Sequence, residues 1–168
     1  LRVIEFTHMV MGPAVGAILV ELGAEVIKVE PVGGDATRQL LGSGAGYFSR
    51  YNRNKKSVCL DLKNPRGLEI ARRLAASADI VVENFRAGTM DKLGLGYDSL
   101  AAENLRLVYC SEKGFLSGPY EHRPALAEDV VVGRPAPRAL LAQHPHPVEH
   151  LGVPPVAVGQ GGRDRGAA

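Results

Sequence analysis

Short clusters of cationic and amide side chains recur along the chain, each next to a run of apolar residues. The clusters are Asn52-Arg53-Asn54-Lys55-Lys56, Glu83-Asn84-Phe85-Arg86 and Ser111-Glu112-Lys113-Gly114-Phe115. Lysine and arginine bind phosphate oxygens well, and asparagine or phenylalanine can hold a base or a pantetheine-like arm. The same residues also have plainer interpretations: the lysine-rich cluster as a solvated turn, and Arg86 and Lys113 as ordinary surface charges.

The elements that would position these clusters follow from the apolar pattern. Apolar runs predict β-strands at Arg2–Phe6, Glu25–Glu30, Ser57–Leu62, Asp79–Val82 and Arg106–Cys110. Helical patterns lie between them, beginning at Gly12-Pro13 and Asn64-Pro65, with shorter stretches at Gly88–Leu93 and Tyr97–Asn104. Strands that alternate with helices at this spacing predict an α/β fold, with a mostly parallel sheet flanked by helices.

The position of the clusters relative to the predicted strands indicates where a ligand would bind. In open α/β sheets, ligands bind beyond the carboxyl ends of the strands, and the clusters occupy or adjoin such positions. The segment Thr7–Gly12 follows the first strand and leads into a helix, whose free N–H groups can face an anion. His8 alone is more typical of a structural residue than of a catalyst. Together, these features predict that residues 1–126 hold a phosphorylated, nucleotide-like ligand.

Composition limits the classes of function. The chain has 168 residues, of which 45% are hydrophobic, enough for one domain with a core. The formal net charge of +2 is too small to indicate binding to nucleic acid or to a membrane surface. No apolar stretch reaches the about 20 residues that span a bilayer. Cys59 and Cys110 are predicted to be buried free thiols, and so few cysteines favour a cytoplasmic protein.

The character of the sequence changes after about Leu126. Residues 127–168 are rich in proline and glycine and lack periodicity, so they are predicted to be an irregular or disordered tail. Within this tail, His144, His146, Glu149 and His150 could imitate a metal cluster, but they lie among prolines and no metal site is predicted.

Glu30 raises an alternative function. It closes the second strand, as a ribose-binding acid would in a dinucleotide-binding fold. The glycine fingerprint of such folds is missing, so a dinucleotide oxidoreductase is kept only as an alternative.

A longer series of motifs carries a resemblance to a known family. The motifs are Arg2–Thr7, Gly12-Pro13, Leu22–Pro31, Gly34-Asp35, Asn52–Val58, Leu60–Lys63, Val82–Arg86 with Gly88, Leu93–Tyr97, Gly118–Tyr120 and Arg123-Pro124. In order and spacing they resemble the class III CoA-transferases, which include formyl-CoA, carnitine-CoA and related acyl-CoA transferases and some racemases. The resemblance implies a Rossmann-like large domain, to which residues 1–126 would contribute a CoA-binding segment, in an interlocked homodimer that also has a small domain.

The resemblance also implies an activity and a set of site residues. Members of the family move CoA between carboxylic acids through an aspartyl-CoA thioester. The implied substrates are a CoA thioester and a carboxylic acid, with coenzyme A as substrate and no metal or organic prosthetic group. The implied CoA contacts are Asn52, Arg53, Asn54, Lys55, Asn84, Phe85, Arg86, Lys92, Lys113, Gly114, Phe115 and Leu116.

Three further residues would lie on the substrate side, namely His8, Val10 and Met11. Val10 stands where formyl-CoA transferases carry a glutamine, which argues against a formyl or oxalyl substrate. Lys92 stands where many members carry an arginine, a conservative departure.

The catalytic nucleophile is the largest departure from the family. The resemblance places an aspartate well beyond Arg123-Pro124, because a carboxylate must attack the thioester carbonyl. Asp129 comes too early and the surroundings of Asp164 do not match, so no catalytic residue is assigned. Residues 127–168 are interpreted as a non-family tail left by truncation or a frame change. The chain alone is expected to bind CoA without completing catalysis, and the alternative is a non-catalytic remnant or partner-binding fragment.

Overall fold

A parallel five-stranded β-sheet forms the centre of residues 1–115 and 118–120, which the computed structural model describes. Its strands are β1 (Arg2–Phe6), β2 (Glu25–Glu30), β3 (Lys56–Cys59), β4 (Ile80–Glu83) and β5 (Val108–Ser111). The α-helices are α1 (Met11–Glu21), α2 (Tyr47–Tyr51), α3 (Pro65–Ala76), α4 (Thr89–Lys92) and α5 (Tyr97–Ala101). The predicted α/β fold, a parallel sheet flanked by helices, is confirmed.

The strand order creates a switch point beside β1. The order is β3-β2-β1-β4-β5, and every neighbouring pair is parallel. On β1, Glu5 lies opposite Lys28 of β2, and Phe6 lies opposite Glu83 of β4. The chain builds outward from β1 to β3 and then returns across β1 to begin β4. Such a reversal opens a crevice beyond the carboxyl ends of β1 and β4.

The two faces of the sheet bury separate apolar clusters, because alternate residues of a strand point to opposite sides. On one face, Val3, Val26 and Val82 cluster with Val15 and Leu19 of α1. The larger cluster, on the other face, includes Ile4, Phe6, Val29, Val81, Ala71 and Ala75 of α3, Met90 of α4, Leu95 between α4 and α5, and Leu100 of α5. The helices therefore hold the sheet rigid from both sides and leave its carboxyl edge open to loops.

The third strand is shorter than predicted, which changes what lies at the carboxyl edge. β3 ends at Cys59 rather than Leu62. Leu60 makes the last hydrogen bond to β2, through the Glu30 carbonyl at 2.9 Å. The chain then turns at Asp61, whose carboxylate accepts from the Lys63 N–H at 2.9 Å. Leu60–Lys63 is consequently a loop at the end of the sheet. α3 follows, with its first N–H groups capped by Asn64 as predicted.

Another expectation was wrong. Cys59 is exposed rather than buried, because β3 is an edge strand; Cys110 is half-buried, and both thiols are free. Between β2 and β3, residues 32–54 contain 3₁₀ turns at Ala36–Gln39 and Gly42–Gly44 and the helix α2.

Several predictions concern residues outside the described part of the chain. The boundary at Leu126, the tail 127–168 with its histidines, Asp129 and Asp164 all lie there. Among the described residues, no helix is long and apolar enough to cross a membrane. The same residues contain no group of three histidine, cysteine, aspartate or glutamate side chains placed to hold a metal ion.

Candidate functional site

A cleft of about 630 Å³ lies beyond the carboxyl ends of β1 to β4, where the topology predicts a ligand site. It is lined by Phe6, Thr7, His8, Met9, Val29, Glu30, Pro31, Val32, Asp35, Ala36, Thr37, Leu60, Asp61, Leu62, Lys63 and Phe85. Much of this lining is apolar. Of the residues predicted to contact a ligand, His8 and Phe85 form part of the wall.

The switch point beside the cleft is closed by Asn84. Its side-chain oxygen accepts from the His8 N–H at 3.0 Å, and its side-chain N–H donates to the His8 carbonyl at 2.9 Å. Gly12 lies against the same pair: a Cβ there would come within 2.7 Å of Thr7 and 3.0 Å of Asn84 Cγ. The His8 and Phe85 rings are 6.0 Å apart. The ends of β1 and β4 are thus held in contact by predicted site residues.

Lys113 joins this group from the end of β5. Its ammonium donates to Glu83 Oε1 at 2.6 Å and to the Phe85 carbonyl at 2.9 Å. Glu83 is 2% exposed and also accepts from the Phe85 N–H at 2.8 Å and from Ser111 Oγ at 2.5 Å. The Lys113 side chain is 23% exposed, with its ammonium held beside Phe85. The structure therefore brings together His8, Asn84, Phe85 and Lys113, as the sequence predicts.

Glu30 organises the loop after β2 and is not free to bind a ribose. Arg38 donates to both of its carboxylate oxygens, at 2.8 and 2.9 Å. The Ser57 hydroxyl and the Asp35 N–H each donate at 2.7 Å. These donors, Arg38 first among them, lower the pKa of Glu30 from 4.5 to about 2. Because the side chain is 1% exposed and fully bonded, the alternative of a ribose-binding acid is contradicted.

The ammonium of Lys55 is directed into the protein. It donates to Glu5 Oε1 at 2.8 Å, to Glu5 Oε2 at 3.0 Å and to the Pro13 carbonyl at 2.7 Å, and its side chain is 2% exposed. Burial lowers the pKa of Lys55, against the opposing effect of Glu5. The Lys55 ammonium could contact a ligand phosphate only if its ion pair with Glu5 were broken. Any contact that Lys55 makes with a ligand in this conformation would therefore come from its backbone.

The remaining predicted contacts are spread over the surface. Arg53 is 72% exposed and lies 3.9 Å from Glu21, while Asn54 adopts a left-handed backbone with φ of 60°. Arg86 and Lys92 are exposed, and within the described residues neither forms a salt bridge. Among the other predicted positions, three are half-buried, namely Asn52, Val10 and Phe115. Gly114 and Met11, the first residue of α1, are exposed. Leu116 lies outside the described residues.

Among the described residues, the carboxyl group of Glu112, just after β5, has no hydrogen-bond partner. Both of its oxygens are buried, although the residue is partly exposed. Burial raises the pKa of Glu112, and the nearby charges of Glu5 and Glu83 raise it further. The sequence places Glu112 next to Lys113 but gives no sign that the two carboxyl oxygens are without a partner.

Residues from two further loops line the cleft. Leu60–Leu62 were predicted to belong to the third strand, although the turn at Asp61 is a signal that the strand ends earlier. In the loop after β2, Asp35 caps the first 3₁₀ turn by accepting from the Thr37 N–H at 2.8 Å.

Comparison with known proteins gives related matches. The family model described as CoA-transferase family III matches residues 1–134. The chain is 46% identical over 142 residues to a probable fatty acyl-CoA transferase of Mycobacterium tuberculosis, covering 80% of this chain and 36% of the relative. It is 45% identical over 130 residues to the acetyl-CoA:oxalate CoA-transferase of Acetobacter aceti, covering 74% of this chain and 33% of the relative.

Solved structures agree with these matches. The orthorhombic crystal form of the mycobacterial relative superposes with a TM-score of 0.70 at 48% identity, covering 74% of this chain and 35% of that one. A CAIB/BAIF family protein from Brucella suis superposes with a TM-score of 0.69 at 46% identity, with coverages of 74% and 35%. The chain spans about a third of the length of the curated relatives it matches.

Proposed function

Because the chain belongs to CoA-transferase family III, we propose that it provides the CoA-binding part of an acyl-CoA:carboxylate CoA-transferase. The proposed substrates are a CoA thioester and a carboxylic acid, and coenzyme A is a substrate rather than a prosthetic group. Curated relatives named for acetyl-CoA:oxalate and succinate–glutarate transfer support this reaction class.

The observation that carries the proposal is the group of side chains at the switch point. The Asn84–His8 pair, the Phe85 ring and the Lys113 ammonium meet at the edge of the 630 Å³ cleft. An apolar wall suits an adenine or a pantetheine arm, and a cation at its rim suits phosphate. Arg86, which follows Phe85 directly, adds a second exposed cation.

The proposed role of the described residues is to hold CoA, and no nucleophile is assigned to them. Of the carboxylates that line the cleft, Glu30 is bonded to Arg38, and Asp35 lies 3.1 Å from Lys28 Nζ. Asp61 accepts from the Lys63 N–H. An acyl-transfer step needs a carboxylate that is free to attack the thioester carbonyl. We therefore propose that this chain alone does not complete the transfer.

Isothermal titration calorimetry of the full chain with CoA tests the proposal. Saturable heat is expected with CoA, weaker binding with 3′-dephospho-CoA because one phosphate is lost, and none with NAD. No heat with millimolar CoA would overturn the proposed binding. A second assay mixes an acyl-CoA, a free carboxylate and this chain, and follows the new thioester by chromatography. Clear turnover would show that a nucleophile is present.

We further propose a homodimer in the cytoplasm. Large apolar residues are exposed on α1 at Ile18 (57% exposed), just after it at Leu22 (78%) and at Leu1 (77%), and a second chain could cover them. The two free cysteines are compatible with a reducing compartment. Light scattering on the purified chain distinguishes a dimer from the alternative of an aggregating remnant or partner-binding fragment.

A further inference from the structure

The loop between β1 and α1, residues 7–10, and the first turn of α1 that follows it are each held by a buried lysine. At the start of the loop, Lys28 Nζ donates to the Thr7 carbonyl at 2.6 Å, and the lysine side chain is 1% exposed. In the first turn of α1, Lys55 Nζ donates to the Pro13 carbonyl at 2.7 Å. Both lysines come from outside this stretch, so their contacts fix it relative to β2 and to the turn before β3.

The middle of the loop is held by Thr37, from the 3₁₀ turn after β2. The Met9 N–H donates to Thr37 Oγ1 at 3.2 Å. Met9 has a left-handed backbone, with φ of 63°, which is costly for a residue other than glycine and persists only where the surroundings hold it. The Thr37 hydroxyl in turn donates to Asp35 Oδ1 at 2.7 Å, which leaves its lone pairs to face Met9.

These anchors belong to one connected set of side chains. Glu5 accepts from Lys55 with both oxygens and lies 3.8 Å from Lys28 Nζ. Lys28 Nζ lies 3.1 Å from Asp35 Oδ2, and Asp35 binds Thr37. We call Lys55, Glu5, Lys28, Asp35 and Thr37 the loop network. It runs beneath the loop from one end to the other.

We propose that the loop network positions the β1–α1 loop against the cleft, with Thr37 as the positioning residue that holds Met9 in its left-handed conformation. Burying charged groups away from water costs free energy, and an apolar cluster would stabilise the core at least as well. What the charged groups add is direction, because the two lysines end on specific backbone carbonyls, those of Thr7 and Pro13. His8 and Met9 line the cleft, so their placement depends on these contacts. That the cleft takes CoA rests on the proposed function; the anchoring does not.

Substitution of Thr37 separates positioning from general stability. Thr37 is 2% exposed, and Thr37→Val keeps its shape while removing the acceptor of the Met9 N–H. Thr37→Ser keeps the hydroxyl and is the conservative rescue. Arg72→Met is the control, because Arg72 is 51% exposed and pairs with Glu103 on the surface, outside the network and the cleft. Backbone amide hydrogen exchange and CoA titration are measured on the full chain for all variants.

The expected pattern is local. Thr37→Val raises exchange at Met9 by about tenfold, since a lost hydrogen bond shifts the opening equilibrium by that order. Exchange in β2 and β4 stays unchanged, and CoA binds several-fold more weakly because the loop is less pre-organised. Thr37→Ser restores both values, and Arg72→Met changes neither.

Three results would overturn the inference. The first is an amide exchange rate at Met9 that is the same in Thr37→Val as in the wild type. The second is equally faster exchange throughout the sheet or loss of folding, which would assign Thr37 to global stability. The third is faster exchange at Met9 with unchanged CoA affinity, which would remove the link to the cleft. If the wild-type chain binds no CoA, the proposed function fails, and exchange at Met9 alone decides the anchoring.

Discussion

The Asn84 side chain binds both main-chain polar groups of His8, at 3.0 Å to the N–H and 2.9 Å to the carbonyl. An asparagine amide has one acceptor and one donor side, so it can match a main-chain amide in this way. The pair links the ends of β1 and β4, beyond Phe6 and Glu83, where the paired register of the strands stops. It therefore sets the width of the switch point beside the cleft.

Replacing Asn84 tests whether this pair matters for ligand binding as well as for stability. Asn84→Ala leaves the His8 N–H and carbonyl without their partner, and we expect a loss of about 1–3 kcal/mol in unfolding free energy. CoA affinity should fall too. Asn104→Ala is the matched control, because Asn104 also binds two main-chain carbonyls, of Ala76 and Ala78, away from the cleft. Equal CoA affinity in the two variants would contradict a role for the pair in binding.

The sequence allowed the edge of the site to be predicted because strand ends are a local property. Apolar runs marked β4 and β5, so Asn84 and Lys113 could be placed at one edge of the sheet. The direction of Lys55 could not be predicted in this way. A lysine in a polar turn is usually solvated, and its partner Glu5 lies 50 residues earlier in the chain. Only the tertiary fold brings these two residues together, because one lies on β1 and the other in the turn before β3, with β2 between the two strands.

Replacing Arg86 tests whether the exposed cations at the edge of the cleft bind the phosphates of CoA. It is exposed and follows Phe85 directly, so Arg86→Gln should weaken CoA binding by about tenfold through the loss of a charge-assisted hydrogen bond, with little change in stability. The effect should shrink at high salt, since exposed charges are screened. Arg106→Gln is the control, because Arg106 is also exposed but lies just before β5, at the end of the strand opposite the cleft. Titration calorimetry at two ionic strengths measures both. Equal affinities for the two variants would place the phosphates elsewhere.

Replacing Glu112 should stabilise the protein, by an amount that depends on pH. Burial raises its folded pKa above the ordinary 4.5, so the folded state binds the proton more tightly than the unfolded state does. Folding stability therefore falls as pH rises from about 4.5 through the raised pKa. Glu112→Gln removes this loss. We expect it to stabilise the protein by about 1–3 kcal/mol at neutral pH and to have little effect in acid, measured by chemical denaturation at several pH values.

Replacing Glu30 is the control, because it should change the folding stability in the opposite direction. Its pKa is lowered to about 2, so its contribution to stability is present above pH 4.5 and is lost as pH falls toward 2. Glu30→Gln should therefore destabilise the protein at neutral pH, and the difference from wild type should close in acid. If Glu112→Gln were destabilising at neutral pH like Glu30→Gln, the carboxyl of Glu112 would have a partner in solution.

Gly16 tests how tightly α1 packs over the charged pair beneath it. A Cβ at Gly16 would lie 1.9 Å from Glu5 Oε2 and 2.7 Å from Lys55 Nζ. In the middle of a helix, Gly→Ala normally stabilises by about 1 kcal/mol, whereas overpacking a filled interior costs about 1–3 kcal/mol. Gly16→Ala must push Glu5 off Lys55, so we expect a net loss of stability in thermal denaturation. Gly46→Ala is the control, because its Cβ would meet nothing within 4 Å. If Gly16→Ala were as stable as Gly46→Ala, the buried pair would have room to move, and Lys55 would be free to reach a ligand.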